Sequence, residues 1–527
     1  MERYGIGMQD FGNIRKDGFV YVDKTAYISL LLKGSKYYFL ARPRRFGKSL
    51  FVSTLEYFFS GERELFKGLE IEKYNWDWTK YPVIHIDFGP SSYSEGIEYL
   101  LSVLNSTIQR YETFYEITPD SSDTINVRFN NLIRKVFEKT GRQVVVLVDE
   151  YEKPILDSLD NPELSDKHKD MLRGFYGVLK SLDKYLKFVF LTGVTKFGQM
   201  NVFSGLNNIR DISMNPEFGA ICGITEIELI ENFKEGIENI AEEEATDFKG
   251  ALRLLKENYD GYHFNRKCPD IYNPYSLINA FADRSIKAYW SYTGTPTLLV
   301  ETLLEQNYDL EELDGIEANE ERLMGINNRF EDPVALFYQT GYLTIKDFDR
   351  ETKEYILGYP NREVQKAFFN FILPYYYTKR TQTSESVISN LNRSIIKGEP
   401  RKAMEYLESF SSSISYDLIP TPEVERHFQS MIYIVVKLLI SPTVKVTSEW
   451  KTSDGRIDLL IETPKYVYVI EIKKDSSPEE ALKQIKDKEY ALQFRNDSRQ
   501  VFLIGMNFST EKKRLDSFII EDFSVKD

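Results

Sequence analysis

Two groups of residues in this 527-residue chain have the types and spacing of phosphate chemistry. The first is Gly47-Lys48-Ser49, which follows the apolar run 37–40 and opens the helix-patterned stretch SLFVSTLEYFFSG. Strand, tight loop and helix start in that order make a phosphate cradle. Backbone N–H groups and the helix N-terminus take the β-phosphate, Lys48 reaches the β/γ oxygens, and the Ser49 hydroxyl ligates Mg²⁺. The usual pattern, G-x-x-x-x-G-K-[ST], has its first glycine where this chain has Arg42, so the start of the loop must be built differently. The second group lies on two β-rich runs, RIDLLIE and YVYVIEIKK, joined by TPK in the manner of a hairpin. Asp458 is in the first arm, and Glu471 and Lys473, two apart in the second, share a face. Asp458 and Glu471 can bind Mg²⁺ or Mn²⁺, with the backbone carbonyl of Ile472 completing the site. Lys473 can then orient a water or stabilise charge on a phosphodiester. A solvated hairpin would carry the same Glu-x-Lys; the placement of these charges amid Val, Ile and Tyr favours the metal site.

The elements around the first group supply its partners. VVVLVDE at 144–150 has the form of a buried parallel strand with two acids at its C-terminal edge, where ligands of open α/β sheets bind. There Asp149 would hold Mg²⁺ through water and Glu150 would polarise the attacking water. On its own the run equally suits a core strand capped by solvated acids; Gly47-Lys48-Ser49 upstream decides between the two. KFVFLTGVTKFG at 187–198 places Thr192 and Thr195 at another strand end, in reach of a γ-phosphate, although strand and turn preferences would explain both. Arg44, Arg45 and Arg210 are candidates for an arginine finger on a developing phosphate charge. Arg210 is placed for that role by chain order alone, in cis or from a second subunit, and the trans case requires a homo-oligomer.

Taken in order, YVDKTAYISLLL, ARPRRFGKSLFVSTLEYFF, VVVLVDEYEKPI, GVTKFGQMNVFSGLNNI and YDGYHF…IYNPYSLINAF resemble AAA-ATPase-like proteins that carry a C-terminal PD-(D/E)XK nuclease-superfamily domain. The resemblance covers roughly 5–290 and 415–510. In that family R-P-R-R-F-G-K-S itself replaces the first glycine, which accounts for Arg42. The resemblance implies a P-loop nucleoside triphosphatase fused to a restriction-endonuclease-like fold, with ATP and Mg²⁺ as cofactors. Lys48 and Ser49 would bind nucleotide and metal, Asp149 and Glu150 would form the Walker B pair, and Asp458, Glu471 and Lys473 the nuclease core. Glu425, on the helix-patterned EVERHFQSMIYIVVKLLI, matches an acid that often helps the metal site in that superfamily; it equally suits a helix N-terminus. Some related nucleases follow the core with Q-x-x-x-Y, but here Gln484 is followed four residues on by Lys488, with Tyr490 later, which puts a role for Gln484 in doubt.

Composition bounds these readings. A chain this long predicts about three domains. No window approaches the roughly 18 consecutive apolar residues of a membrane helix, and the first residues, MERYGIGMQDFGN, form no apolar signal region, so a cytoplasmic protein without membrane contact is expected. Cys222 and Cys268 make no disulfide framework, and four scattered histidines offer no zinc spacing. Metal chemistry is therefore carboxylate chemistry with Mg²⁺ or Mn²⁺. The net charge of −14 argues against a protein that coats nucleic acid unspecifically. The acid concentrates at 226–248 and 309–322, whereas 441–527 holds 15 Lys/Arg against 16 Asp/Glu.

The expected architecture is α/β and multidomain. It comprises a P-loop AAA-like core with a doubly wound parallel sheet over 1–225, a helical lid over 226–294, a winged-helix-like domain over 295–375, a helical connector over 376–415 and a PD-(D/E)XK domain over 416–527. The expected function is an ATP-binding and hydrolysing protein whose C-terminal domain cleaves nucleic acid, DNA being the expected form, with ATP as a gate. Defence against foreign DNA or maintenance of a mobile element would suit it. The alternative is a nucleotide-switched module that binds nucleic acid or protein through an inactive nuclease fold.

Overall fold

The computed structural model describes residues 2–120, 122–196, 202–203, 205–206, 208–290, 299–300, 302–303, 308, 310–324, 333–376, 381–412, 424–439, 444–452 and 455–523. The chain divides into two compact units, Met1–Gln306 with Leu313–Val364, and Asn307–Glu312 with Gln365–Asp527.

The first unit is built on five parallel strands: β1 (Tyr37–Ala41), β2 (Val83–Asp87), β3 (Val144–Asp149), β4 (Leu186–Gly193) and β5 (Arg210–Asp211). Their order in the sheet is β2-β3-β4-β1-β5. Strands β1 and β3 are buried at every residue, which is why they read as unbroken apolar runs rather than alternating ones. Alternate residues of β4 show that the sheet is covered on both sides. Val189 and Leu191 join a core with Leu100, Phe129, Leu172 and Phe175 from the helices Ile97–Phe114, Ile125–Thr140 and Pro162–Ser181. Phe188 and Phe190 meet Phe59 and Phe51 of the helix Lys48–Phe59. Each such fully buried side chain contributes roughly 1.5–3 kcal/mol, so the helix carrying Lys48 and Ser49 is anchored by its own apolar face.

Four further helices, Glu226–Asn232, Lys234–Glu243, Phe248–Tyr259 and Pro274–Asp283, share a second core with Leu229, Phe233, Tyr259, Leu277 and Phe281. A capping box between Thr225 and Glu228 starts the first of them, and the Glu228 carboxylate also receives Lys24 Nζ at 2.6 Å. Strands β6 (Glu317–Ala318), β7 (Thr344–Phe348) and β8 (Tyr355–Gly358) then form a small antiparallel sheet in the order β6-β8-β7.

The second unit holds a mixed sheet of β9 (Lys445–Thr452), β10 (Gly455–Glu462), β11 (Tyr466–Lys474), β12 (Gln500–Ser509) and β13 (Arg514–Asp522), in the order β13-β12-β11-β10-β9. Only β11 and β12 run parallel, and the helix Pro478–Asp487 makes the crossover that a parallel pair needs. The helices Thr381–Lys397 and Pro400–Ser411 are tied to this sheet by Tyr468, whose hydroxyl donates to the Ile395 carbonyl at 2.7 Å, and by Leu515, whose N–H donates to Ser411 Oγ at 3.1 Å.

Candidate functional site

The loop after β1 bends through left-handed backbone at Arg45 (φ 67°) and at Gly47 (φ 90°), where glycine removes the steric cost. A Cβ at Gly47 would meet nothing within 4 Å, so the cradle is open at that point. Lys48 is buried and donates to the Arg42 and Pro43 carbonyls at 2.9 and 3.1 Å, leaving one of its three N–H donors for a phosphate. Ser49 is half-buried on the first helical turn.

Arg42 explains how the loop starts without its glycine. Its guanidinium, 1% exposed, donates to the carbonyls of Ala41 (2.9 Å), Ser213 (2.7 Å) and Phe218 (3.0 Å) and lies 4.0 Å over the Phe264 ring. The side chain therefore points away from the cradle and bolts its first residue to the segment 213–219. Phe46 fixes the other end, edge-on to Tyr262 and Phe264, and its carbonyl accepts from Gly223 N–H at 3.1 Å.

Asp149 and Glu150 stand at the C-terminal edge of β3, with β4 alone between that strand and β1, which leads into the loop. Asp149, 3% exposed, accepts the Thr192 hydroxyl, which fixes both expected residues against one another. Glu150 takes left-handed backbone (φ 54°) immediately after the strand, a conformation that costs a non-glycine residue roughly 1–2 kcal/mol. Its carboxylate is thereby turned toward Gly89: a Cβ there would lie 3.0 Å from Glu150 Oε2 and 3.1 Å from Asp87 Oδ1. Burial raises the pKa of Glu150, opposed by Lys48 and assisted by Asp149. Burial and then Asp149 raise that of Asp87, the register partner of Asp149 on β2.

Glu152 carries no mark in the sequence pattern, yet it braces this edge. It is buried, its Oε1 accepts the N–H of Val194 and of Thr195 (3.1 Å), and burial pushes its pKa up to about 7. Thr195 is thus held by its backbone N–H. Arg45 is exposed, with its guanidinium 4.6 Å over Tyr275 on the helix Pro274–Asp283. Arg210 is not brought to the loop within this chain. Strand β5 pairs with Tyr38 and Phe39, in the first part of β1, and the Arg210 side chain lies beside Gly34 and Phe218, ahead of the strand instead of at its C-terminal edge.

Next to the loop is a cavity lined by Gly47, Leu50, Tyr21, Cys222, Phe233 and Ile278 among others. Its walls come from the N-terminal segment, the loop helix and the four-helix layer, and the Lys24–Glu228 pair clamps the first of these to the last. A mostly apolar slot beside a phosphate cradle has the chemistry for a nucleoside base.

In the second unit the β10–β11 ladder runs only as far as Leu459↔Ile470. Asp458 and Glu471 occupy the next step, where the strands no longer exchange backbone bonds; there Asp458 Oδ2 accepts the Ile472 N–H at 2.8 Å. Glu471 is 2% exposed. Its Oε1 accepts from Lys473 Nζ at 3.2 Å and from the Gln484 amide, and its Oε2 is buried with no hydrogen-bond partner among the described residues. Burial, and next the Asp458 charge, push Glu471 up to about 7, with Lys473 pulling the other way. An orphaned carboxylate oxygen beside a second carboxylate is a donor set for a hard divalent cation, so these residues fit the group that the sequence implies. Among the described residues no group of three His, Cys, Asp or Glu side chains is placed to hold a metal ion by itself. Among the described residues, the further ligands on offer are backbone carbonyl, as expected of Ile472, water and substrate oxygen. Glu425 lies on the first turn of the helix Val424–Leu439, but its side chain is outside the described residues.

Gln484 is at the site after all. Gly505 on β12 sits beside Glu471 in register, and a side chain there would strike the backbone of Pro478 and Leu482, so the helix Pro478–Asp487 packs directly on the strand and lowers Gln484 onto Glu471. The chain then leaves the helix through left-handed Glu489 (φ 48°), which returns Tyr490 to within 3.4 Å of the Gln484 amide. The turn compensates for the longer Gln-to-Tyr spacing.

Comparison with known proteins finds both domains. Residues 5–203 match the predicted AAA-ATPase family, and residues 423–518 match the PD-(D/E)XK nuclease superfamily. An uncharacterized protein in the vnfD 5′ region of Azotobacter chroococcum mcd 1 is 34% identical over 528 residues, covering 98% of each chain. Among solved structures, the Aeropyrum pernix ORC1 protein in complex with DNA is 10% identical at a TM-score of 0.25, covering 65% of this chain and 90% of its own. The Aeropyrum pernix ORC2 protein in ADPNP and ADP complexes is 10% identical at a TM-score of 0.26, covering 66% and 93%. Both likenesses are remote. With a relative matched along its whole length and both domains found in order, the chain belongs to the family of predicted AAA-ATPases that carry a C-terminal PD-(D/E)XK nuclease-superfamily domain.

Proposed function

We propose that this protein is an ATP-gated nuclease that cleaves phosphodiester bonds in nucleic acid, DNA being the expected substrate. The observation that carries the reading is Glu471 Oε2, buried without a partner beside Asp458 and flanked by Lys473 and Gln484. An unpaired buried acceptor costs roughly 1–3 kcal/mol, which a bound cation would recover, and at Glu471, unlike the equally unpaired Glu152, a second carboxylate, a lysine and a glutamine converge on the same carboxylate. Asp458, Glu471 and the Ile472 carbonyl would hold Mg²⁺, or Mn²⁺ in its place. Such an ion supplies Lewis-acid stabilisation of the phosphate and a lowered pKa for water. Lys473 orients the attacking water and stabilises the charge that develops on the phosphoryl oxygens. Gln484, steadied by Tyr490, holds the Glu471 carboxylate in place. Water adds at phosphorus and gives up one proton to solvent, the bond to the leaving sugar oxygen breaks, and that oxygen takes a proton from solvent.

In the first unit, Lys48 and the backbone at Gly47 would bind the β- and γ-phosphates of ATP, Ser49 and Asp149 would hold Mg²⁺, and Glu150 would accept the proton of the hydrolytic water. Thr192 fixes Asp149, and the adjoining cavity takes the base. Arg210 would reach nucleotide only from a second subunit. The test is cleavage of DNA and RNA with Mg²⁺ or Mn²⁺, with and without ATP, alongside Glu471→Gln. Loss of cleavage in that variant with ATP hydrolysis intact supports the reading, whereas cleavage that survives it rules the site out as the cleavage centre.

A further inference from the structure

The first unit carries a strongly basic groove that neither site uses. It lies between the loop 262–271 and strand β7, and His263, Arg266, Lys267, Lys346 and Arg350 line it against a single carboxylate, Asp347. In a chain of net charge −14 that concentration of cations needs a reason. Among the described residues, none of Arg266, Lys267, Lys346 and Arg350 has a carboxylate within ion-pairing distance; the one internal acid partner goes to His263, whose Nδ1 lies 3.0 Å from Asp270. The walls are held rigidly. Tyr262 and Ile271 close the loop with reciprocal backbone bonds of 3.3 and 2.9 Å, and Asn265 anchors its middle on the Met214 carbonyl at 2.7 Å. Thr344 of β7 accepts the His263 N–H at 2.7 Å and donates to the His263 carbonyl at 3.2 Å. Across the groove, Asp349 accepts the N–H groups of Glu351 and Thr352 at 2.6 and 3.1 Å, setting the turn that presents Arg350.

We infer that this groove binds the phosphate backbone of nucleic acid, so that the ATPase unit itself holds the polymer at a site distinct from the cleavage centre. Arginine and lysine without carboxylate partners, fixed on two rigid walls, suit a repeating phosphate charge, and Arg offers planar donors for phosphate oxygens. The Arg266 guanidinium is already stacked 4.6 Å over Phe348, which pre-orders it and leaves an aromatic ring beside the path of the bases. An acidic protein segment is the lesser fit, because the Phe348 ring beside the cations offers a stacking face for a base, which a run of carboxylates would leave unused.

The inference shares with the proposed function only the class of polymer, and its test avoids cleavage. Binding of short fluorescein-labelled single- and double-stranded DNA and RNA is measured by anisotropy on the full chain carrying Glu471→Gln, in EDTA, over a salt series. Adding Arg266→Glu, Lys267→Glu and Arg350→Glu, all exposed positions, should weaken binding by roughly 10²-fold or more. It should also lower the slope of log K against log salt by roughly 0.7–0.9 for each phosphate that is no longer neutralised. Lys180→Glu, exposed on another surface, should change neither. Matching melting temperatures and ATPase rates would show that the triple variant is folded. Unchanged affinity and slope in the triple variant, or competition by poly-glutamate as strong as that by unlabelled DNA, would overturn the inference. A wild-type chain that never cleaves, yet loses binding on charge reversal, would instead sink the nuclease reading and leave the groove standing.

Discussion

Replacing Glu471 by Gln should stabilise the metal-free protein while destroying its cleavage activity. Burial and the neighbouring Asp458 push Glu471 from an ordinary 4.5 up to about 7. At ~1.4 kcal/mol per pH unit, ionising this side chain in the folded unit costs about 3 kcal/mol. The sign follows from linkage. A carboxylate whose folded pKa is raised contributes stability that is complete below its unfolded value, and loses it as pH rises through the folded one. Wild type should therefore weaken from about pH 4.5 to about pH 7 and level off above, whereas a glutamine, which does not ionise, lacks this loss. It can still accept from Gln484, so the difference should reach about 1–3 kcal/mol, or a few degrees in melting temperature at roughly 2–4 °C per kcal/mol. Calorimetry in EDTA from about pH 5 to about pH 8.5 measures this directly. Added Mg²⁺ should then raise the melting temperature of wild type alone, because the cation replaces the missing partner of Oε2. A glutamine variant that is less stable at every pH, or offset by a constant amount, would refute the reasoning and mark Glu471 as an ordinary satisfied acid.

Other outcomes follow from the same geometry. Lys48→Ala should weaken ATP binding by roughly 10–100-fold, the loss of a charge-assisted hydrogen bond worth about 1.5–3 kcal/mol, as read by fluorescent-nucleotide titration; Asp458→Asn should leave that titration unchanged. Glu150→Gln should keep ATP bound but slow hydrolysis by roughly 10²–10⁴-fold, visible as a long-lived ATP complex on filters. Arg42→Lys should lower thermal stability by roughly 2–4 kcal/mol, since an ammonium cannot span the carbonyls of Ala41, Ser213 and Phe218 while covering Phe264. Tyr490→Phe should reduce cleavage less than Gln484→Ala, because the hydroxyl only steadies the amide that touches Glu471.

The parts of both sites that lie close together in the chain are legible in the linear sequence. Gly47-Lys48-Ser49 and the Asp458, Glu471, Lys473 hairpin each sit within a short local pattern whose period and turn residues dictate how side chains share a face. Residues whose roles depend on sheet order are not legible in that way. Arg210 follows β4 in sequence, yet β5 pairs with the early part of β1, which carries the arginine away from the cradle. Arg42 reads as a basic loop residue; only the burial created by Phe264 and the segment 213–219 reveals it as a structural bolt. Tyr490 is obscured by spacing alone, because one left-handed residue, Glu489, restores its position. The basic groove cannot be read linearly at all, since its cations come from a loop and a strand far apart in the chain and joined through Thr344 and His263.

The measurement closest to the central claim is cleavage of labelled DNA by wild type, Lys48→Ala and Glu471→Gln in the presence of Mg²⁺, each with and without ATP. An ATP-gated nuclease requires ATP-dependent cleavage by wild type, none by Glu471→Gln, and cleavage by Lys48→Ala that no longer responds to ATP. No cleavage by any protein, with ATP hydrolysis intact in wild type and Glu471→Gln, would contradict that claim and leave a nucleotide-switched binding protein built on an inactive nuclease fold.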